Sequence, residues 1–146
     1  MIDISNKIET LRIAVAESRV IAKKETIERA VRGDTPKGDV LNVARAAAVL
    51  AVKKTPELIP YCHPLMIDSV SVQFEPRDTE IIIRVEAKCV GKTGIEMEAL
   101  TGAMIAALNI YDMMKGIDKD VVIGETKLVE KRGGRVIFRK RFSKLF

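Results

Sequence analysis

One stretch limits what this chain can become. Ala99–Tyr111 runs 13 residues without a charged side chain, bounded by Glu98 and Asp112. It is too short for a membrane-spanning helix, which takes about 20 apolar residues, and it contains Thr101, Gly102 and Asn109. As a helix it is mostly small, with Ala99, Gly102, Ala103, Ala106 and Ala107. Its polar residues gather at the ends. Glu96 and Glu98 lead; Asp112 and Lys115 close, three apart and therefore neighbours on one face. Glu98 and Asp112 are 14 residues apart, about 21 Å along an axis that rises ~1.5 Å per residue, with an angular offset of about 40°. They share a face but cannot meet one small reacting centre. Two copies of the helix crossing antiparallel near Ala103–Ala106 about a twofold axis would bring the carboxylates of one chain beside the Asp–Lys pair of the other. The alternative is that the small residues pack on the chain's own sheet and the end charges only face water.

The rest of the chain sets this helix in an α+β frame. Leu11–Ala22 is rich in β-branched and apolar residues and reads as a strand. Glu25–Arg32 reads as a short helix stopped by Gly33, and Asp39 caps a helix over Val40–Lys54. Pro56, Pro60 and Pro64 bracket a rigid connector from Thr55 to Pro64. Strands at Met66–Glu75 and Glu80–Val90 form a hairpin. Gly91-Lys-Thr-Gly94 leads into the long helix, which ends near Lys115-Gly116. Val121–Lys131 and Arg135–Arg141 read as a final pair about Gly133-Gly134. The order β-α-α-β-β-α-β-β contains the ferredoxin-like plait, an antiparallel sheet with helices on one face. With 146 residues, one domain spanning 1–146 is expected, large enough to need no staple.

Charge is uneven. Residues 127–146 hold eight Lys or Arg against Glu130, so of the chain's net +5 the first 126 residues carry −2. A basic tail points to an anionic partner or to a charged, protected strand edge. Cys62 and Cys89 form no Cys-x-x-Cys, and the opening Met1-Ile-Asp-Ile-Ser has no apolar secretory segment, so a reducing cytoplasm is expected. His63 is the only histidine and lies in the connector; without Cys or His partners at ligand spacing, no structural metal is expected. Cys62 and His63 are adjacent, and adjacent side chains point apart. Lys37-Gly38-Asp39 sets a cation in a glycine loop before a helix, which suits phosphate. Gly91-Lys92-Thr93-Gly94 lacks the leading glycine of a P-loop.

Together, Lys37-Gly-Asp-Val-Leu, Glu57-Leu-Ile-Pro-Tyr-Cys-His-Pro-Leu65, Thr93-Gly-Ile-Glu-Met-Glu-Ala-Leu-Thr101, Ile110-Tyr-Asp-Met-Met-Lys115 and Val122-Ile-Gly124 resemble the molybdenum cofactor biosynthesis protein C family, the cyclic pyranopterin monophosphate synthases. Met1-Ile-Asp-Ile-Ser and Glu9-Thr-Leu-Arg12 are similar too. The resemblance implies conversion of 3′,8-cyclo-7,8-dihydroguanosine 5′-triphosphate, the product of a radical-SAM GTP cyclase, to cyclic pyranopterin monophosphate with release of diphosphate. It implies a ferredoxin-like hexamer, a trimer of dimers with sites at the dimer interface, and neither metal nor organic cofactor. Asp112 and Lys115 match the family's catalytic pair, and Lys131 a further catalytic lysine. Lys37, His63, Glu96 and Glu98 match residues around the substrate; Tyr61, Cys62 and Met97 line the same segments, and Arg12 matches a basic residue near the phosphates. Asp–Lys suits proton transfer, and Lys and Arg suit the charge of phosphoryl transfer.

The resemblance ends in the C-terminal loop. Where the family usually shows Lys-Ser-Gly-Gly-Lys-Ser-Gly, this chain has Lys131-Arg-Gly-Gly-Arg-Val-Ile137. Arginine keeps lysine's charge but not its shape. Two other readings remain. A nucleic-acid-binding plait would use the basic tail with Phe138, Phe142 and Phe146; the acidic body makes nucleic acid an unfavoured partner. An inactive oligomeric scaffold would have no need for Asp112, Lys115 and both glutamates together.

Overall fold

The computed structural model describes residues 1–134 and 138–139. The expected strand over Arg135–Arg141 lies largely outside them, and so does the basic tail to Phe146. After a loop over residues 1–9, the chain forms β1 (Thr10–Ile21), α1 (Lys24–Arg32), α2 (Val40–Leu58), β2 (Ser69–Pro76), β3 (Glu80–Gly91), α3 (Glu96–Met114), β4 (Val122–Ile123), β5 (Lys127–Arg132) and β6 (Phe138–Arg139). The sheet runs β2-β3-β1-β5-β6, with β4 beside the end of β1, and its pairings are antiparallel. This is the expected α+β, ferredoxin-like arrangement.

Alternation in the strands decides which side meets the helices. Ala14, Ala16 and Val20 of β1 and Ile81, Ile83, Val85, Ala87 and Cys89 of β3 enter the core with α2 and α3. The intervening residues face away, where Glu17, 4% exposed, accepts from Arg84 Nε at 2.8 Å across the β1–β3 pair. The same parity pairs Lys131 with Ala14 and Arg12 with Cys89. Both cations therefore share the helix side of the sheet, near the start of α3.

Local signals fix the helix ends. Gly33 takes φ 68°, the left-handed conformation that closes α1. Asp39 accepts from the Asn42 amide and opens α2. The first turn of α1 has no cap of its own. Its cap comes from Asp118, beyond α3, whose buried carboxylate accepts from the Lys23 amide at 3.0 Å and Thr26 Oγ1 at 2.9 Å.

Two expectations are corrected. Helix α2 runs through Pro56 to Leu58, four residues past Lys54: proline gives up the one bond its amide would make to Val52, and the Ile59 amide still closes the helix on the Thr55 carbonyl at 2.9 Å. Strand β2 begins at Ser69 rather than Met66: the Asp68 amide still donates to the Lys88 carbonyl at 2.9 Å, but the Val90 amide beyond it goes to the Asp68 carboxylate, also at 2.9 Å, instead of to a backbone carbonyl. On α3 the structure decides between the two readings of the small residues. Ala103 and Ala106 are fully buried within this one chain, and a Cβ on Gly102 would lie 2.8 Å from Val52 Cγ2 and 3.1 Å from Val85 Cγ1. The small face is spent on α2 and the chain's own sheet, so two copies cannot cross at Ala103–Ala106.

Candidate active site

Helix α3 carries one cluster at each end. At its start, Glu96 bonds the Lys131 ammonium, which strand parity in β5 aims at the helix. Glu98, 1% exposed, turns inward, and its Oε1 accepts a long contact of 3.6 Å from the Cys62 thiol. Glu98 Oε2 is buried without a hydrogen-bond partner. Burial, with Glu96 nearby, raises the Glu98 carboxyl above its usual range. Burial and then the Glu98 charge push the Cys62 thiol up to about 11; Cys89, beneath, is also pushed to about 11, chiefly by burial. Both cysteines are free, and thiols shifted upward in this way stay protonated and are poor nucleophiles.

The connector brings His63 to the same end, where its Nε2 lies 2.7 Å from the Ile2 carbonyl. Lys92 Nζ donates to the Ser5 carbonyl at 3.4 Å, so the N-terminal loop spans the two segments that carry His63 and Glu96. Arg12 Nε donates to the Gly91 carbonyl at 3.2 Å. Gly133 and Gly134 turn over Arg12 with φ 116° and 63°. A Cβ on Gly134 would lie 2.4 Å from Arg12 Nη1, which shows how closely the turn wraps the guanidinium. Tyr61 and Met97 are exposed beside these groups.

At the other end of α3, Lys37 Nζ donates to Asp112 Oδ2 at 2.9 Å, and Lys115 Nζ lies 3.4 Å from Asp112 Oδ1. The bond from Lys37, then that from Lys115, holds the Asp112 carboxyl below its usual range. Lys115 is 57% exposed within one chain. Lys37 meets Asp112 only through the fold; 75 positions separate them.

The sequence-predicted residues thus form two groups. Arg12, Tyr61, Cys62, His63, Glu96, Met97, Glu98 and Lys131 lie toward the head of α3; Lys37, Asp112 and Lys115 lie at its tail, a helix length away. One chain does not bring them together. Sequence reasoning missed the Asp118 cap and the carbonyl of Ile2 on His63, since neither has a local signal. Among the described residues, no helix is long and apolar enough to cross a membrane, and no three His, Cys, Asp or Glu side chains converge as for a metal ion.

A family model described as the MoaC family matches residues 1–134. The cyclic pyranopterin monophosphate synthase of Clostridium perfringens (strain 13 / Type A) is 55% identical over 137 residues, which are 92% of this chain and 87% of that protein. The same-named protein of Chloroflexus aurantiacus (strain ATCC 29366 / DSM 635 / J-10-fl) is 50% identical over 92% of this chain and 84% of its own length. That of Pelotomaculum thermopropionicum (strain DSM 13744 / JCM 10971 / SI) is 48% identical over 92% of this chain and 81% of its own.

Proposed function

The chain belongs to the MoaC family of molybdenum cofactor biosynthesis, and from that premise we infer that it is a cyclic pyranopterin monophosphate synthase. It is a lyase that converts 3′,8-cyclo-7,8-dihydroguanosine 5′-triphosphate to cyclic pyranopterin monophosphate and diphosphate. A radical-SAM GTP cyclase supplies the substrate, and the reaction takes place in the cytoplasm. Residues 1–146 act as one catalytic domain.

The observation that carries the site proposal is the separation of complementary groups along α3. The head holds carboxyls, His63 and Arg12; the tail holds an ammonium–carboxylate cluster. Ring opening and rebuilding need several proton transfers, and closure of the cyclic phosphate needs cations at the α-phosphorus and the leaving diphosphate. In this reading Asp112 and Lys115 exchange protons with the substrate, Lys131 joins them, and Arg12 and Lys37 hold the phosphates. His63 and Glu98 orient the base and ribose, with Tyr61, Cys62, Glu96 and Met97 lining that end.

The two ends meet between protomers. In place of the small face of α3, the exposed stripe Met97, Met104, Leu108, with Val43 and Leu50 of α2, supports a partner helix layer lying across this one. Lys115 lies on the same stripe at helical spacing, and a twofold partner would cover it. The assembly is a hexamer, a trimer of such dimers. Mixing Glu96→Gln and Lys115→Ala protomers, each inactive alone, restores turnover of the cyclised triphosphate in dimers that retain one intact site. Two inactive parents that stay inactive after verified subunit exchange refute the shared site.

A further inference from the structure

The N-terminal loop lies against the body of the protein on two polar ties. Of its four apolar side chains only Ile4 is partly covered; Met1, Ile2 and Ile8 are 73%, 77% and 81% exposed. Little apolar burial therefore holds it in place. Within the loop, the Asp3 carboxylate accepts from the Ser5 amide at 2.8 Å, and the Lys7 amide donates to the Ile4 carbonyl at 3.0 Å. These bonds shape the loop without attaching it. Attachment comes from two donors of the body. His63 Nε2 lies 2.7 Å from the Ile2 carbonyl, and Lys92 Nζ lies 3.4 Å from the Ser5 carbonyl. A carbonyl oxygen only accepts, so Nε2 carries the proton in this contact. Lys92 differs from the lysines of the two clusters. Lys131 is matched by Glu96, and Lys37 and Lys115 by Asp112. Among the described residues, Lys92 bonds only a neutral carbonyl, at long range. The Asp3 carboxylate feels its charge but is bonded to Ser5.

Resting on the function proposed above, we propose that Lys92 is a further substrate-binding residue, for phosphate oxygens, and that the N-terminal loop is its stand-in: the Ile2 and Ser5 carbonyls occupy the donors of His63 and Lys92 until a nucleoside triphosphate displaces them. Hydrogen bonds with an ionised partner are about twice as strong as neutral ones, so an ammonium exchanges a carbonyl for a phosphate oxygen favourably. Ile2 and Ser5 are three positions apart, and no more than about 11 Å of chain separates their carbonyls. An extended nucleoside triphosphate bridges that gap. The exchange breaks two hydrogen bonds to the loop and makes two to the ligand, and His63 and Lys92 keep their protons. The loop is thus an internal competitor. Its closed population lowers the apparent affinity for the nucleotide, and its return to Lys92 as diphosphate leaves favours release.

The test uses the full chain, with GTP and guanosine as probes. Ser5-Asn6 is the only Ser–Asn pair and His63 the only histidine. Carbonyl-13C serine with 15N asparagine therefore yields one NMR signal for the Ser5 carbonyl, and 15N histidine yields one imidazole. GTP should shift both signals with a single Kd, whereas guanosine, which has no phosphate, leaves Ser5 in place. In Lys92→Met the Ser5 signal should start near its displaced position. GTP should bind this variant about tenfold more weakly, the loss of one charge-assisted bond, and Lys92→Arg should recover most of the affinity. The wild-type Ser5 signal decides the matter if Lys92→Met does not fold. A Ser5 signal indifferent to GTP, displacement of Ser5 by guanosine, or equal GTP affinity in wild type and Lys92→Met overturns the proposal. Turnover of the cyclised triphosphate is measured on the same wild-type preparation. Turnover with a silent Ser5 signal sinks the role of Lys92 and the loop alone; displacement by GTP without turnover sinks the function instead.

Discussion

Adding one methyl group at Gly102 tests where the small face of α3 is used. The new Cβ would lie 2.8 Å from Val52 Cγ2, 3.1 Å from Val85 Cγ1 and 3.4 Å from the Ala48 carbonyl. Val52 and Val85 are fully buried and stiff about χ1, so neither turns aside cheaply. Overpacking of this kind costs about 1–3 kcal/mol, and the better helix propensity of alanine offsets about 1 kcal/mol. Gly102→Ala therefore destabilises by about 1 kcal/mol, a fall in melting temperature of about 2–4 °C for a chain of this length. Gly116→Ala is the control. Nothing lies within 4 Å of its Cβ, and Gly116 is not among the positive-φ glycines. It should leave stability unchanged or raise it by about 0.4–1 kcal/mol. Urea titration with an unchanged m-value reads both, at two protein concentrations so that association is separated from folding. If Gly102→Ala is as stable as wild type while weakening the oligomer, the small face lies between chains and the packing argument fails.

Asp118 gives a pH signature. Burial alone would raise its carboxyl, but bonds from Lys23, Asp120 and Thr26 outweigh it and hold it low. A depressed folded-state value adds stability above the unfolded carboxyl's ordinary range, near pH ~4, and that stability is lost as pH falls through the folded value. Asp118→Asn should thus cost about 1–2 kcal/mol at neutral pH and converge with wild type in acid denaturation profiles; a constant gap across pH contradicts this. Arg84→Ala strands the Glu17 carboxylate, whose side chain is 5% exposed, while Arg84 itself is 46% exposed. The expected loss is about 2 kcal/mol, below that for a fully buried pair, and Glu17→Gln in the same background should recover part of it in chemical denaturation. Gly133→Ala would set a Cβ 2.3 Å from the Leu11 carbonyl at φ 116°. With the turn displaced from Arg12, KM for the cyclised triphosphate should rise at least several-fold; an unchanged KM in a folded variant removes Arg12 from the phosphates.

The sequence was enough to show the plait and the order of its elements. Strand alternation in β1 and β3 follows local preference, Gly33 ends α1 because only a residue tolerant of left-handed φ closes it there, and Asp39 opens α2 through a bond three residues away. The same holds for the family, since its motifs are contiguous runs. Boundaries set by competing contacts were not legible: Pro56 inside the last turn of α2, and the late start of β2 beside Asp68. Nor was the use of the small residues on α3, because alanines and a glycine suit a close helix contact within a chain as well as between chains. Only packing decided that Val52 and Val85 already fill that space. Lys37 on Asp112, Lys131 on Glu96, the cap from Asp118 and the unpartnered oxygen of Glu98 each depend on segments far apart in the chain. Local propensity acts over a few residues, whereas burial and ion pairing are properties of three-dimensional neighbours; the roles assigned to the charged residues had to wait for the tertiary structure.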